Sequence, residues 1–331
     1  MNAIPPTDPH PAPPELVPPE LAPPELAPPE LAPPELAPPE LASPHPAPPE
    51  TDRTTPAAVL DLAPSQRAGQ RLRLAIADLR GGWTFRRLAV ALAWIDIKLR
   101  YRGSVLGPFW LTLSTALMVA AMGAIYATLF HMTIRTYLPF LTLSLVLWNF
   151  LSTLIAEACT SYTVVESTIR AMRLPLVVHA LRVVLRNLLV LAHNIVVIAA
   201  VYLIFHIWPG RTALLALPGL ALWAIDALAV TLLLGGLCAR FRDIPPIVGS
   251  LMQMAFFVTP IIWKPELVGR QHLWLLPFNP FYTLLEVVRG PLLGETPGPA
   301  IWLGAVVATA ALTSTGFWLF ARTRARIAFW V

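Results

Sequence analysis

Four ionisable residues stand within or beside long apolar runs of this 331-residue chain: Glu157, Arg182, Arg186 and Asp226. Charge in hydrocarbon is costly and usually serves a function, so these four are the candidates for an ion pathway. Their positions weaken that reading. Glu157 falls near the end of one run, and Arg182 and Arg186 near the start of the next, where all three can meet headgroups or pair with each other. Only Asp226 reads as deep, and one acid is a thin basis for an ion-driven carrier. Covalent and hydrolytic chemistry has less support still. The chain has no GxxxxGK(S/T) to cradle ATP phosphates, no HExxH and no GxSxG. His10, His45, His131, His179, His193, His206 and His272 share no ligand spacing. Cys159 and Cys238 each close an apolar run without a CxxC, and read as small buried apolar residues. The residues therefore describe a non-enzyme with no metal or cofactor of its own. Work against a gradient would draw on another subunit or on an ion.

The elements that position these residues are membrane helices. Hydrophobic residues make up 56% of the chain and charged residues 13%. An ordinary globular domain carries roughly 25% charged residues. Net charge is +5, but it divides unevenly: residues 1–66 hold ten acidic side chains and one arginine, and the remainder holds nine acidic and twenty-three basic ones. The basic residues cluster at the edges of apolar runs, which points to membrane orientation and away from nucleic acid.

Residues 1–66 form a low-complexity tail. One PPELV and five PPELA units run from Pro13 to Ala42. Paired prolines remove amide donors and favour extended polyproline II, and one leucine per unit cannot bury a core. The tail is expected to be a disordered repeat, either a neutral expansion or a spacer that docks a partner. It lacks the basic start and apolar centre of a signal peptide, so it is expected to stay in the cytoplasm.

Residues 67–104 are expected to form cytoplasmic or interfacial helices. The first is short and ends at Gly81-Gly82. The second, from Trp83 to Tyr101, keeps Phe85, Leu88, Leu92, Ile95 and Leu99 at helical spacing with cations mostly off that stripe. A basic helix with aromatic faces suits the membrane interface, although the same pattern fits an amphipathic helix packed on protein. The chain turns at Arg102-Gly103-Ser104 and enters a six-helix transmembrane domain over 105–331. Spans are expected at about 105–130, 139–159, 180–206, 212–238, 247–263 and 300–320, with the fifth short. With the amino terminus inside, twelve Lys or Arg fall in cytoplasmic connections and five outside, which places both termini in the cytoplasm.

Two connections are too elaborate to be turns. The inner one, Thr160 to Pro175, mixes charge with helix formers. The outer one, Lys264 to Pro299, contains PFNPFYTLLEVVRGPLLG, too short to span and too apolar for water. It reads as a pair of short re-entrant helices. Trp110, Tyr126, Trp148, Phe256 and Phe257 lie on spans, and Phe278, Phe281 and Tyr282 in the outer loop. Such rings suit a headgroup-level belt. They also suit a lining on which sugar rings slide, because an aromatic face packs on sugar C–H groups without fixing one position.

Several of these stretches resemble the membrane subunits of type-2 ABC transporters. They are LRYRGSVLGPFWLTLSTALMVAAMGAIYATLF, FRDIPPIVGSLMQMAFFVTPIIW and NPFYTLLEVVRGPLLG, with the inner loop between them. Within that group the chain is similar to permeases that export O-antigen, capsule or teichoic-acid polymers. The resemblance covers Trp83 to Phe320 and leaves the tail outside. It implies an all-α polytopic homodimer of six-helix subunits that carries two separate ATP-binding cassette subunits, with ATP and magnesium bound by those partners. It implies that Trp83–Arg102 borders the cytoplasmic entrance. It implies that Glu166, Arg170, Arg173, Arg242 and Asp243 lie on loops that contact the ATPase. It implies that Pro277–Gly294, with Phe278, Phe281, Tyr282, Glu286 and Arg289, gates the exit.

On this reading the cargo is a polysaccharide on a lipid carrier, and the location is the cytoplasmic (inner) membrane. Arg86, Arg87, Lys98, Arg100 and Arg102 would attract the carrier's pyrophosphate, and the channel would run between the first and fifth helices of two copies. Export of a drug or small lipid keeps the fold and changes the cargo. A structural membrane protein is the third class.

Overall fold

The computed structural model describes residues 68–331 apart from 105, 106, 108, 173 and 269. The repeat tail and Arg173 lie outside the described residues. The described chain is all helical. Its α-helices are α1 (Ala68–Thr84), α2 (Arg86–Arg100), α3 (Phe109–Leu129), α4 (Ile134–Cys159), α5 (Glu166–Ala171), α6 (Leu176–Phe205), α7 (Ala216–Arg240), α8 (Ile244–Val258), α9 (Pro280–Leu292) and α10 (Pro299–Trp330). Short 3-10 stretches precede α5, α7 and α9.

Among the described residues, five helical segments are long and apolar enough to cross a bilayer: Phe109–Leu129, Ile134–Cys159, Leu176–Phe205, Arg211–Arg240 and Pro299–Trp330. The expected fifth span over 247–263 is realised as α8, only 15 residues long. At the rise of an α-helix this is about 22 Å, less than the apolar thickness of a bilayer. Pro245 and Pro246 in its first turn fix its start, and Thr259-Pro260 ends it.

Helix α4 is the central post. Its middle, from Tyr137 to Leu151, is almost wholly buried, and it packs against α3, α6, α7, α8 and α9. The second interior helix is α9, buried from Tyr282 to Pro291. That burial explains an apolar segment too short to span, because it is covered by α4, α7 and α10 and not by lipid. Asn279 starts it by accepting hydrogen bonds from the Phe281 and Tyr282 amides at 3.0 and 3.3 Å, and Pro280 follows where no amide is needed. Trp223 Nε1 donates to Leu284 O at 2.8 Å and Tyr202 Oη to Leu292 O at 2.8 Å, tying α7 and α6 to it. Gly219 lets α7 approach closely: a Cβ there would lie 2.8 Å from Val287 O.

One expectation at the start of the chain is corrected, and one alternative left open is narrowed. Gly81-Gly82 does not end α1, which runs on to Thr84. These glycines are contact points, since a Cβ on Gly82 would come within 2.5 Å of Val177 Cγ1. The stripe Phe85, Leu88, Leu92, Ile95, Leu99 is not the face of α2 that packs on protein. Ala89, Ala93 and Ile97 are buried, while Phe85, Ile95 and Leu99 are exposed. Asp96, on the small-residue side, binds arginines of α6 and turns that side inward.

Candidate functional site

The sequence-marked charges Glu157, Arg182 and Arg186 do meet, where α2, α4 and α6 converge. Arg186 donates from Nε and Nη2 to Glu157 Oε2 at 3.0 and 2.7 Å, and from Nη1 to Asp96 Oδ2 at 3.1 Å. Arg182 forms a two-pronged pair with Asp96, Nε to Oδ2 at 2.7 Å and Nη2 to Oδ1. Asn187 Nδ2 donates to Glu157 Oε2 at 2.6 Å, and Arg100 Nη2 to Glu157 Oε1 at 2.8 Å. Each carboxylate thus accepts from several donors, the condition under which partly buried charge is tolerated. Asp96 was not singled out from the sequence. The available signal was one acid in an otherwise basic helix.

Of the five cations assigned to the entrance, Arg100 is committed to this network, and its hydrogen bond with Glu157 raises its pKa. All five are exposed, and the other four make no salt bridge among the described residues. Arg86 lies over Trp83 at 5.4 Å and Lys98 over Trp94 at 5.9 Å, both rings being exposed. An exposed cation thus lies beside an exposed ring at the α1–α2 junction and again near the end of α2. Arg102 follows in the turn that Gly103 closes at φ +85.

A second clasp, also unmarked in sequence, joins α1 to α6 and α10. Asp78 is 7% exposed, accepts from the backbone amide of Leu176 at the start of α6, and pairs with Arg324 Nε at 3.4 Å. Burial pushes its pKa up, and Arg324 only partly opposes this.

On the connection to α6, Glu166 and Arg170 pair with each other at 2.8 Å on the exposed α5. Arg242 and Asp243 are exposed in the turn between α7 and α8. Glu166 and Arg242 line the same 240 Å³ cavity, with Cys159, Cys238 and Trp330 around them, so the two connections form one surface.

The expected exit-gate residues separate into two kinds. Glu286 and Arg289 are interior. Arg289 is 1% exposed and donates to Glu286 Oε2 from Nε at 3.0 Å and from Nη2. Its Nη1 donates to Ser144 Oγ at 2.8 Å and to Pro260 O at 2.6 Å, and the guanidinium lies 4.4 Å over the Phe140 ring. This one side chain ties α9 to α4 and to the chain leaving α8. Asn279 Nδ2 on Thr259 Oγ1 at 3.0 Å and Tyr137 Oη on Ile262 O at 2.6 Å fasten the same joint. Phe278, by contrast, is 77% exposed. Tyr282, Glu286 and Arg289 border a 630 Å³ cavity with Arg135, Lys264, Glu266 and Glu295. Partial burial, then the like charges of Glu286 and Glu266, push the Glu295 carboxyl above its usual range.

The aromatic candidates also divide. Trp148 is 4% exposed and packs between Phe256 and Phe281 at 5.8 and 5.6 Å, so within the protomer it is core. Tyr126 stacks on Phe130 at 5.7 Å. Trp110 and Phe257 are exposed. Asp226 is buried as expected, with Thr309 Oγ1 donating to its Oδ2 at 2.9 Å across the α7–α10 contact.

The apolar crossing helices, the interior short helix and the charged connections define a multi-pass integral membrane protein. Residues 87–293 match the ABC-2 type transporter family, and the chain belongs to that family. It is 25% identical over 209 residues to the O-antigen export system permease protein RfbA of Myxococcus xanthus, covering 61% of this chain and 79% of that one. It is 24% identical over 203 residues to a protein of the same name from Klebsiella pneumoniae, covering 60% of this chain and 77% of that one.

Proposed function

We propose that this chain is the permease subunit of an exporter that moves a lipid-linked polysaccharide across the cytoplasmic membrane, both termini cytoplasmic. The observation that carries the reading is the similarity of about 60% of the chain to permeases named for O-antigen export. Energy is supplied by two copies of a separate ATP-binding cassette subunit, since the chain has no phosphate-cradling motif.

The functional unit is a dimer of six-crossing subunits. Helix α8 buries no residue within the protomer and exposes Ile247, Leu251, Met254, Phe257 and Val258. An apolar helix this bare fits an interface with a second copy, with Thr259–Trp263 completing its crossing. Arg86, Arg87, Lys98 and Arg102 present charge to the carrier's pyrophosphate beside the cytoplasmic entrance. Glu166, Arg170, Arg173, Arg242 and Asp243 receive the ATPase. Phe278 and Phe281 flank the exit, and the Glu286–Arg289 pair acts by holding α9.

The test is depletion of the protein followed by location of the lipid-linked glycan. Finished polymer that accumulates inside with loss at the surface supports export and identifies the cargo. Normal surface glycan removes this reading and leaves the family's other cargo class, a drug or small lipid.

A further inference from the structure

The chain has two cysteines, and folding brings them together. Cys159 is the last residue of α4, and Cys238 lies in the last turn of α7, with all of α5 and α6 between them in sequence. One turn earlier in α7, a Cβ on Gly235 would run into Ser161 Oγ and the Tyr162 ring. One residue after Cys238, Ala239 packs in the same cluster as Tyr162. Positions 235, 238 and 239 share one helix face, so the chain leaving α4 lies along the face of α7 that carries Cys238. The two thiol side chains meet there. Both cysteines are free, at 3% and 2% exposed. Two buried hydroxyls at this joint, Ser161 Oγ and Tyr162 Oη, have no hydrogen-bond partner among the described residues, so they do not fasten it.

Buried cysteines usually act as small apolar residues, and thiols sealed in a core are inert. These two are not sealed. Both border the 240 Å³ cavity between the α4–α6 connection and the α7–α8 turn, with the exposed Thr160, Thr163 and Arg242 around it. Both also sit at helix ends, where local opening costs least. The space admits a small oxidant such as hydrogen peroxide.

We propose that Cys159 and Cys238 form a reversible redox site that hydrogen peroxide closes to a disulfide. One thiolate attacks a peroxide oxygen and the O–O bond breaks. Hydroxide leaves, takes up the proton that the thiol gave up, and the cysteine becomes a sulfenic acid. The second cysteine's sulfur attacks that sulfur, the S–O bond breaks and a second water leaves. Two thiols and one peroxide thus give one disulfide and two waters, the pair losing the two electrons that the peroxide gains. A thiol reductant restores the pair. In a reducing cytoplasm the site stays open, since disulfides there are mostly transient redox signals. The bond ties the end of α4 to the end of α7 and fixes the two connections that border the cavity. Its consequence for ATP hydrolysis rests on the reading in which those connections receive the ATPase; formation of the bond does not.

The experiment uses the full chain in nanodiscs, alone and assembled with its ATPase subunits. It is treated with hydrogen peroxide and then alkylated under denaturation. Peptide mass spectrometry should show Cys159 joined to Cys238 within one chain, with both thiols lost to alkylation and recovered after reduction. In Cys159→Ala or Cys238→Ala the remaining thiol has no partner, and at least one of the two variants should be captured by dimedone as the sulfenic acid. ATP hydrolysis by the assembled complex should fall several-fold on oxidation and recover on reduction. The double alanine variant should hydrolyse ATP at the same rate with and without peroxide. Thiols that stay open to alkylation, or a bond between two copies, overturn the site and leave the cysteines as packing residues. A bond that leaves hydrolysis unchanged, or an equal loss in the double variant, overturns the control of hydrolysis. Either failure, in cells whose surface polymer still depends on the protein, leaves export standing. The bond in the chain alone, with surface polymer independent of the protein, removes export and leaves the redox site.

Discussion

Arg186 of α6 and Glu157 of α4 share a two-pronged ion pair, with nitrogen–oxygen distances of 2.7 and 3.0 Å, and Arg186 carries it on to Asp96 of α2 at 3.1 Å. Three helices far apart in sequence thus meet through one guanidinium. Its planar fork can serve two carboxylates at once, which a lysine ammonium does less well. Arg186→Ala should lower the unfolding free energy by about 2 kcal/mol, the range for hydrogen bonds to charged groups. Arg186→Lys should recover less than half of that loss. Denaturant unfolding in detergent measures both. An alanine variant as stable as wild type would show that α2 is held by its apolar contacts alone.

Arg289 is the more deeply buried cation, and removing one partner of a buried pair costs more than removing both. Arg289→Met should destabilise by about 3–5 kcal/mol, with the charge of Glu286 left behind. Glu286→Leu combined with Arg289→Met should recover part of the loss. Thermal unfolding of wild type and the two variants checks the order. If the double variant is the least stable, the pair contributes net stability beyond mutual compensation.

Asp78 gives a pH dependence with a defined sign. Its folded pKa lies above the ordinary 3.8, chiefly from burial, while Arg324 and the Leu176 amide pull it down. Tyr162 also faces it. The folded state therefore holds this proton more tightly than the unfolded chain does. Stability should fall as pH rises from near 3.8 through the raised value and then level off. Asp78→Asn should remove this slope, and Arg324→Gln should extend it to higher pH. Melting temperatures across about pH 4 to 8 would show it, that range covering the usual span of a raised carboxyl. A slope unchanged in Asp78→Asn would assign it to another group.

The crossing helices were legible because long uncharged runs have few other solutions, and the pairing of Glu157 with Arg186 is one of the two options that their places at neighbouring run ends left open. Other features were not, for physical reasons. Gly81-Gly82 has the form of a helix stop, yet its role is close approach to Pro175 and Val177, a tertiary fact. The buried face of α2 pairs the small residues Ala89 and Ala93 with Asp96, a weaker periodic signal in sequence than the larger apolar stripe beside it. Glu286 and Arg289 look like a surface pair at i and i+3. Only the burial of α9 turns them into an internal clasp. Trp148 was indistinguishable in sequence from Trp110, but one is core and the other exposed.

The five entrance cations are all exposed but differ in their partners. Arg100 is held by Glu157, whereas none of Arg86, Arg87, Lys98 and Arg102 has a salt bridge among the described residues. If those four meet the carrier's pyrophosphate, their loss should reduce transport without loosening the fold, since isolated surface charges contribute little to stability. Replacing the four with Gln should therefore lower surface polymer several-fold, with charge-assisted contacts to phosphate individually worth about 1.5–3 kcal/mol. Melting temperature and dimer yield should stay near wild type. Arg100→Gln should do the reverse, lowering the melting temperature through the network around Glu157. Surface polymer, size-exclusion profile and melting curve of the two variants together decide the point. Full export by the quadruple variant would remove α2 from cargo recognition. A melting temperature that falls equally in both variants would mean that all five cations act by holding the helix in place.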